Sequence, residues 1–352
     1  MRDATPTHAN PREINSCNKQ LTTPVCRRKT MIKQLITSAV LGAAMLGSHS
    51  LMAADFTLRF GHLANEQNIW HQAAEKFKQE VEANSDGQIE VRLYPSEQLG
   101  NEMDVINSIQ LGTADMTITG ESLQNWAPKA AMMAVPYAFR DSEHLHAAVN
   151  GDIGAEIEAQ ITERTNLVPL AWFERGPREL TSNRPIRTPD ELDGLRLRVP
   201  NVPLFVDTWQ AMGARPTPMA FSEVFTALQQ NTLEGQENPL SLIESASFNE
   251  VQDYVNMTGH VRSWIYVVIG RNQLESMPEE LQQVVRDAAQ TMQEYQAELF
   301  VDDQARLEQA LQERGMEFVE VDVDAFAEKA RPAVLEALTE EQRELFDAIQ
   351  DL

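Results

Sequence analysis

Two α/β units folded in succession and braced by one long helix are what this 352-residue sequence predicts. Three observations carry the prediction. Strand-like and helical segments alternate from Phe56 to Ile118 and again from Leu167 to Met257; no Pro/Gly/Ser tether separates the two runs; and the chain after Pro278 continues without Gly or Pro until Gly315.

Taken in order, Phe56-Thr57-Leu58-Arg59-Phe60 alternates as a half-buried strand does, and Gly61 ends it. Trp70, Ala73, Ala74, Phe77 and Val81 recur at helical spacing until Asn84-Ser85-Asp86-Gly87, a stop and turn. Ile89–Leu93 is a second strand, Val105, Ile106, Ile109 and Leu111 mark a second helix closed by Gly112, and Met116–Ile118 is a third strand. That order predicts a parallel sheet covered by helices. The pattern restarts at Leu167–Phe173 and at Leu195–Val199, with a capped turn at Thr188–Leu192 between them. Helices at Leu204–Met212 and Ser222–Leu228 and a strand at Tyr254–Met257 complete a second set. Trp264–Ile269 is continuously apolar, as a strand buried on both faces is. The run opened by Pro278 would span about 50 Å as a helix, long enough to join two lobes. Strand, helix and helix follow at Glu317–Val321, Val323–Arg331 and Thr339–Ile349. With no disordered tether, the lobes should hinge through ordered strands, and a ligand should bind in the cleft beyond the strand ends.

Charge narrows the partners. With 29 Lys+Arg against 53 Asp+Glu, the net charge is −24, which excludes a nucleic-acid or anionic-membrane partner because both need a cationic face. The apolar run Leu35–Leu46, preceded by Lys33 and followed by small residues to Ala54, is too short to span a bilayer and reads as a signal-peptide core, with cleavage expected near Asp55. Residues 1–30 are polar; either translation starts at Met31, the preferred reading, or they form an extended targeting region, with Arg27-Arg28 a weak twin-arginine signal. Both cysteines, Cys17 and Cys26, precede the cleavage point, so the mature chain should have no disulfide or thiol chemistry. Loss of residues 1–54 removes seven Lys/Arg and two Asp/Glu and takes the charge to −29, acidity that a saline habitat would suit.

Enzyme constellations are missing: the sequence holds no G-x-S-x-G, P-loop, G-x-G-x-x-G, H-E-x-x-H or EF-hand pattern. His144 and His146 project to opposite sides of any regular element and carry no metal set, and no acid/base pair stands out among so many carboxylates. No enzyme, cofactor or metal is therefore expected. The scarce cations say more. Arg196 and Arg198 alternate with apolar residues and share one strand face. They form either surface ion pairs or a cleft site in which an Arg grips a carboxylate through two parallel hydrogen bonds. Arg178 after the preceding strand has the same two readings. Gly235-Gln236-Glu237-Asn238-Pro239 reads as a loop, either a helix stop or a display of the Asn238 amide. Ser222 is a candidate N-cap, with Phe221 a core staple or a pocket wall. Trp70, Trp126 and Trp172 are core or pocket aromatics.

Taken together, Leu197-Arg198-Val199-Pro200-Asn201, Pro216–Val224, Ala227-Leu228-Gln229 and Gly235–Pro239 resemble the signature run of TRAP-transporter solute-binding proteins. Leu93–Ser96, Gln98-Leu99-Gly100 and Leu180–Asn183 fit the same family. The resemblance implies a two-lobed periplasmic-binding-protein fold with a hinge and a spine helix. It implies a monomeric receptor in the periplasm that closes on an organic acid anion, a sugar acid such as a uronate foremost, and delivers it to TRAP membrane permease subunits. By motif, Arg198 would hold the ligand carboxylate, Arg178 would add an anion or hydroxyl contact, Asn238 an amide contact and Phe221 a wall. Glu102 and Glu121 resemble acidic positions that meet polar ligand groups in sialic-acid-binding members. The implied division is residues 55–175 plus 264–303 and residues 176–263 plus 304–352. In one respect the chain departs from those members: Leu63 stands where they carry Asn. That weakens sialic acid, leaves C4-dicarboxylates, hydroxy acids and sulfonates open, and points to His62, Asn65 and Trp70 as tuning residues.

Overall fold

The computed structural model describes residues 54–352; Leu35–Leu46, Cys17, Cys26, Arg27-Arg28 and Met31 lie outside the described residues. In chain order the strands are β1 (Phe56–Gly61), β2 (Ile89–Tyr94), β3 (Met116–Thr119), β4 (Leu167–Glu174), β5 (Arg178–Ser182), β6 (Arg196–Val199), β7 (Arg215–Pro218), β8 (Gly235–Pro239), β9 (Tyr254–Val261), β10 (Trp264–Gly270) and β11 (Glu317–Val319). The helices are α1 (Ile69–Asn84), α2 (Glu102–Gln110), α3 (Ser142–Val149), α4 (Asp152–Thr165), α5 (Pro203–Ala211), α6 (Phe221–Gln229), α7 (Leu240–Ser245), α8 (Arg271–Glu275), α9 (Glu279–Glu313), α10 (Val323–Ala337) and α11 (Glu340–Gln350).

Local chemistry explains the boundaries. Asn68 caps α1 by accepting the Trp70 N–H at 2.9 Å, and Asp86 and Gly87, both at positive φ, turn the chain after its end. Asn101 and Asp104 form a reciprocal capping box on α2.

The first sheet has the order β2-β1-β3-β10-β4. β1 runs parallel to β2 and β3 as expected, but β10 lies antiparallel to both its neighbours, so the sheet is mixed. The apolar β10 is buried throughout, as its sequence predicts, and this central place accounts for it. β4, where the second run of elements begins in sequence, is the edge of this first sheet. The second sheet has the order β11-β9-β5-β8-β6-β7. It contains Gly235–Pro239 as a fully buried strand, not the loop its polar composition suggests.

α9 serves both sheets. Leu281, Val285, Ala288, Ala289 and Met292 pack into the core that holds β1 and β10, and Leu307 and Leu311 pack into the core beneath α6 and β9. At about 1.5 Å per residue its 35 residues reach roughly 50 Å. The chain crosses between sheets at Arg175-Gly176-Pro177 and again at Arg262-Ser263, and the Arg175 N–H donates to the Ser263 carbonyl at 3.1 Å. Gly176 sits at φ +75°, and a Cβ there would lie 2.9 Å from Gln304 Nε2. The last two helices part company. α10 packs on α5 and β9 of the second-sheet side, whereas α11 packs on Pro128–Ala134 and α4 of the first. Gln342 Nε2 donates to the Pro128 carbonyl at 2.7 Å, so residues 304–352 do not all belong to one side.

Candidate ligand-binding cleft

A cavity of about 330 Å³ opens between the sheets, within the size range of small-ligand sites. Its second-sheet wall is set by β8. Strands are read from apolar alternation, and β8 has none; its polar side chains are buried because they satisfy one another. Asn238 Nδ2 donates to Gln236 Oε1 at 2.6 Å, Gln236 Nε2 to Thr181 Oγ1 at 3.0 Å, and Thr181 Oγ1 to Gln252 Oε1 at 3.0 Å. Glu237 takes Arg178 Nε at 2.5 Å and Nη2 at 2.8 Å in a fork, and accepts His260 Nε2 at 2.9 Å. Burial would push the Glu237 carboxyl up, but Arg178 and His260 hold it at about 2. Arg178 follows the end of β4 as expected and opens β5, and its Nη1 is buried without a hydrogen-bond partner among the described residues, 3.5 Å from Glu121 Oε1.

Arg196 and Arg198 share a strand face but have opposite fates. Arg196 is exposed on a surface pair with Glu234 at 3.2 Å. Arg198 is 4% exposed and lines the cavity. Its Nε and Nη2 donate to the Met219 carbonyl at 3.0 and 2.6 Å, its Cζ lies 6.0 Å from the centre of the Phe221 ring, and it forms no ion pair among the described residues. Burial pushes its pKa down to about 10.

The first-sheet wall is acidic. Glu121 pairs with Arg175 Nη1, and Arg175 lies over the buried Trp70 ring at 5.6 Å. Burial would raise the Glu121 carboxyl, but Arg175 and Arg178 bring it below its ordinary value. Glu102, at the start of α2, accepts Thr119 Oγ1 at 2.5 Å and the Gly120 N–H at 3.2 Å through Oε1; burial and then Glu121 push it up.

Of the residues singled out from sequence, Arg198, Arg178, Asn238, Phe221, Glu102, Glu121 and Trp70 line this cavity. His62, Asn65 and Trp172 do not. His62 is buried with Nε2 3.1 Å from His71 Nδ1, and burial takes it down to about 3. Asn65 donates its amide to the Ser245 carbonyl at 2.6 Å, joining the two sides of the molecule. Trp172 lies edge-on to His146 at 5.1 Å. Ser222 is not a cap: α6 begins at Phe221, and the Ser222 N–H donates to Glu97 Oε2 at 3.2 Å, a carboxylate reaching over from the loop after β2. Phe221 serves as both staple and wall, edge-on to Phe248 at 5.8 Å while lining the cavity.

Sequence reasoning passed over Arg175, whose Nε is buried without a partner. Its signal was its place beside Gly176-Pro177-Arg178 in a chain short of cations. Among the described residues, no group of three or more His, Cys, Asp or Glu could hold a metal, and no helix is long and apolar enough to cross a membrane.

Two mixed sheets, a spine helix and an arginine-lined cleft are the architecture of a two-lobed solute-binding protein. Residues 60–341 match the family described as bacterial extracellular solute-binding protein, family 7, and the chain belongs to it. It is 54% identical over 320 residues to a solute-binding protein of Roseobacter denitrificans, spanning 91% of this chain and 98% of the relative. A crystal structure of a TRAP periplasmic solute binding protein from that organism with bound L-galactonate, 54% identical, superposes with a TM-score of 0.83 over 85% of this chain and 99% of that one. A second, from Polaromonas sp JS666 bound to D-erythronate, is 34% identical with a TM-score of 0.80, covering 84% and 99%. The 2,3-diketo-L-gulonate-binding periplasmic protein YiaO of Escherichia coli is 33% identical over 309 residues, 87% of this chain and 91% of the relative.

Proposed function

We propose that this TRAP solute-binding protein resides in the periplasm as a monomer, takes a sugar acid by its carboxylate at Arg198, and hands it to the membrane permease. Arg198 carries the reading. A guanidinium taken out of water costs several kcal/mol unless a counter-charge compensates it, and among the described residues the hydrogen bonds of Arg198 go only to the Met219 carbonyl. A ligand carboxylate in the cavity restores the balance, with the free N–H groups of Arg178 Nη1 and Arg175 Nε as further donors. Asn238 and Phe221 add an amide contact and an apolar wall.

The L-galactonate-bound relative supports an open-chain aldonate ahead of the uronate expected from sequence; C4-dicarboxylates, sialic acid and sulfonates rank lower. Glu121 is engaged by Arg175, Glu237 by Arg178 and His260, and Glu102 by Thr119 and Gly120, so these carboxylates hold the walls of the cavity in place around the ligand. Lobe closure over the ligand excludes water and strengthens these contacts.

A thermal-shift screen of L-galactonate, uronates, sialic acid, C4-dicarboxylates and sulfonates tests the reading. The true ligand at a hundred times its Kd adds about 2.7 kcal/mol of stability. Failure of every sugar acid to raise Tm overturns it.

A further inference from the structure

The guanidiniums around the cavity are not all paired. Three guanidiniums face it, those of Arg175, Arg178 and Arg198. Two are matched inside the protein, Arg178 by the fork of Glu237 and Arg175 by Glu121, and both carboxylates sit below their ordinary pKa range because, against burial, these arginines hold them down. Arg198 alone of the three has no carboxylate partner among the described residues, while Glu97, Glu102 and Glu223 also line the cavity. One ligand carboxylate can therefore pair with Arg198, and a second meets acidic side chains with no unpaired guanidinium to receive it.

The opposite wall reinforces this. Its polar groups include Glu121, held on Arg175, and Glu102, anchored through Oε1 to Thr119 and Gly120, with Glu97 also in the lining. Glu102 Oε2 accepts none of the hydrogen bonds found among the described residues, and Glu102 lines the cavity. Arg175 Nη1 stays on Glu121 and its Nε–H has no partner among the described residues; with its charge already matched by Glu121, this guanidinium can donate to a ligand hydroxyl but offers no uncompensated charge to a second carboxylate.

We infer that the first-sheet wall, with Glu102 as the selecting residue and Arg175 clamping Glu121 beside it, admits the hydroxylated end of a sugar monoacid and rejects a diacid of the same length. The inference rests on the carboxylate-at-Arg198 reading proposed above. A diacid anchored at Arg198 sets its second carboxylate against Glu102 and Glu121, and like charges brought together in a site shut off from water cost several kcal/mol.

The test compares two six-carbon probes by calorimetry, L-galactonate and galactarate, its oxidation product with a carboxylate at both ends. The wild-type protein should bind galactarate at least ~100-fold more weakly. Glu102→Gln keeps the Oε1 acceptor for Thr119 and Gly120 and removes the charge; it should narrow that ratio at least ~10-fold with L-galactonate affinity held within ~10-fold. Glu102→Asp retains the charge and should leave the ratio within about threefold. Equal wild-type binding of the two probes, or an unchanged ratio in Glu102→Gln with a wild-type melting curve, overturns the inference and leaves the Arg198 reading standing. If neither L-galactonate nor any other sugar monoacid binds, the Arg198 reading falls and the inference falls with it.

Discussion

The two walls of the cleft are built on different principles. The second-sheet wall gets its cations from inside a sheet, where Arg178 of β5 is locked by Glu237 of β8, itself held by His260 of β9, and β8 has no apolar residue except its terminal Pro239. The first-sheet wall places its acids at element ends: Glu102 opens α2, and Glu121 follows β3. One wall is fixed by a buried network whose members need one another to fold. The other presents side chains from element ends: α2 is capped by its own Asn101–Asp104 box, and the Glu102 carboxylate only accepts the Thr119 hydroxyl and the Gly120 N–H, so its chemistry can change at less cost to folding.

The largest effect should come from breaking the buried network. Glu237→Ala leaves Arg178 and His260 buried without their carboxylate and should cost about 3–5 kcal/mol of stability, read by chemical denaturation. The same group sets an acid limit. Its folded pKa of about 2 lies below its unfolded value, so its contribution is complete above the unfolded pKa and is lost as pH falls through about 2. Flat stability from pH 5 down to pH 2 would contradict this.

Arg198→Ala should leave the fold intact, since its only hydrogen-bond partner among the described residues is a carbonyl, yet weaken sugar-acid binding by about 3 kcal/mol or more in calorimetry. Asn65→Ala removes a contact between the two sides and not a ligand group. A loss of about 1 kcal/mol in affinity, the same for every ligand that binds, is expected, and a change in ligand preference would restore Asn65 to the site. Arg196→Ala, two residues from Arg198 on the same strand face, should change stability by less than about 0.5 kcal/mol and binding not at all.

Wherever an element alternates or repeats its apolar residues, the sequence shows it: β1, β2, β3, β10, α1 and α9 fall where the pattern puts them. It misleads at β8 because burial there is carried by hydrogen bonds between side chains from β5, β8 and β9 and the segment just before β9, partners up to 71 residues apart. The site was legible through motif more than through pattern. Arg198, Arg178, Asn238 and Phe221, carried by the signature run, line one cavity, whereas His62 and Asn65, carried by the departure at Leu63, and Trp172, an aromatic at a strand end, do not.

By itself, then, the sequence determined the class: strands and helices in α/β order, one helix too long for a single lobe, an acidic surface and a few cations in a recognisable run. These are local properties, written in periodicity, composition and short-range spacing. Only the tertiary structure decided that β10 enters the first sheet antiparallel, that α11 returns to the first-sheet side, and that Arg198 is the unmatched cation while Arg196 beside it is a surface pair. Whether a charge is compensated depends on which distant side chains fold against it and how much water they exclude, and no spacing along the chain records that.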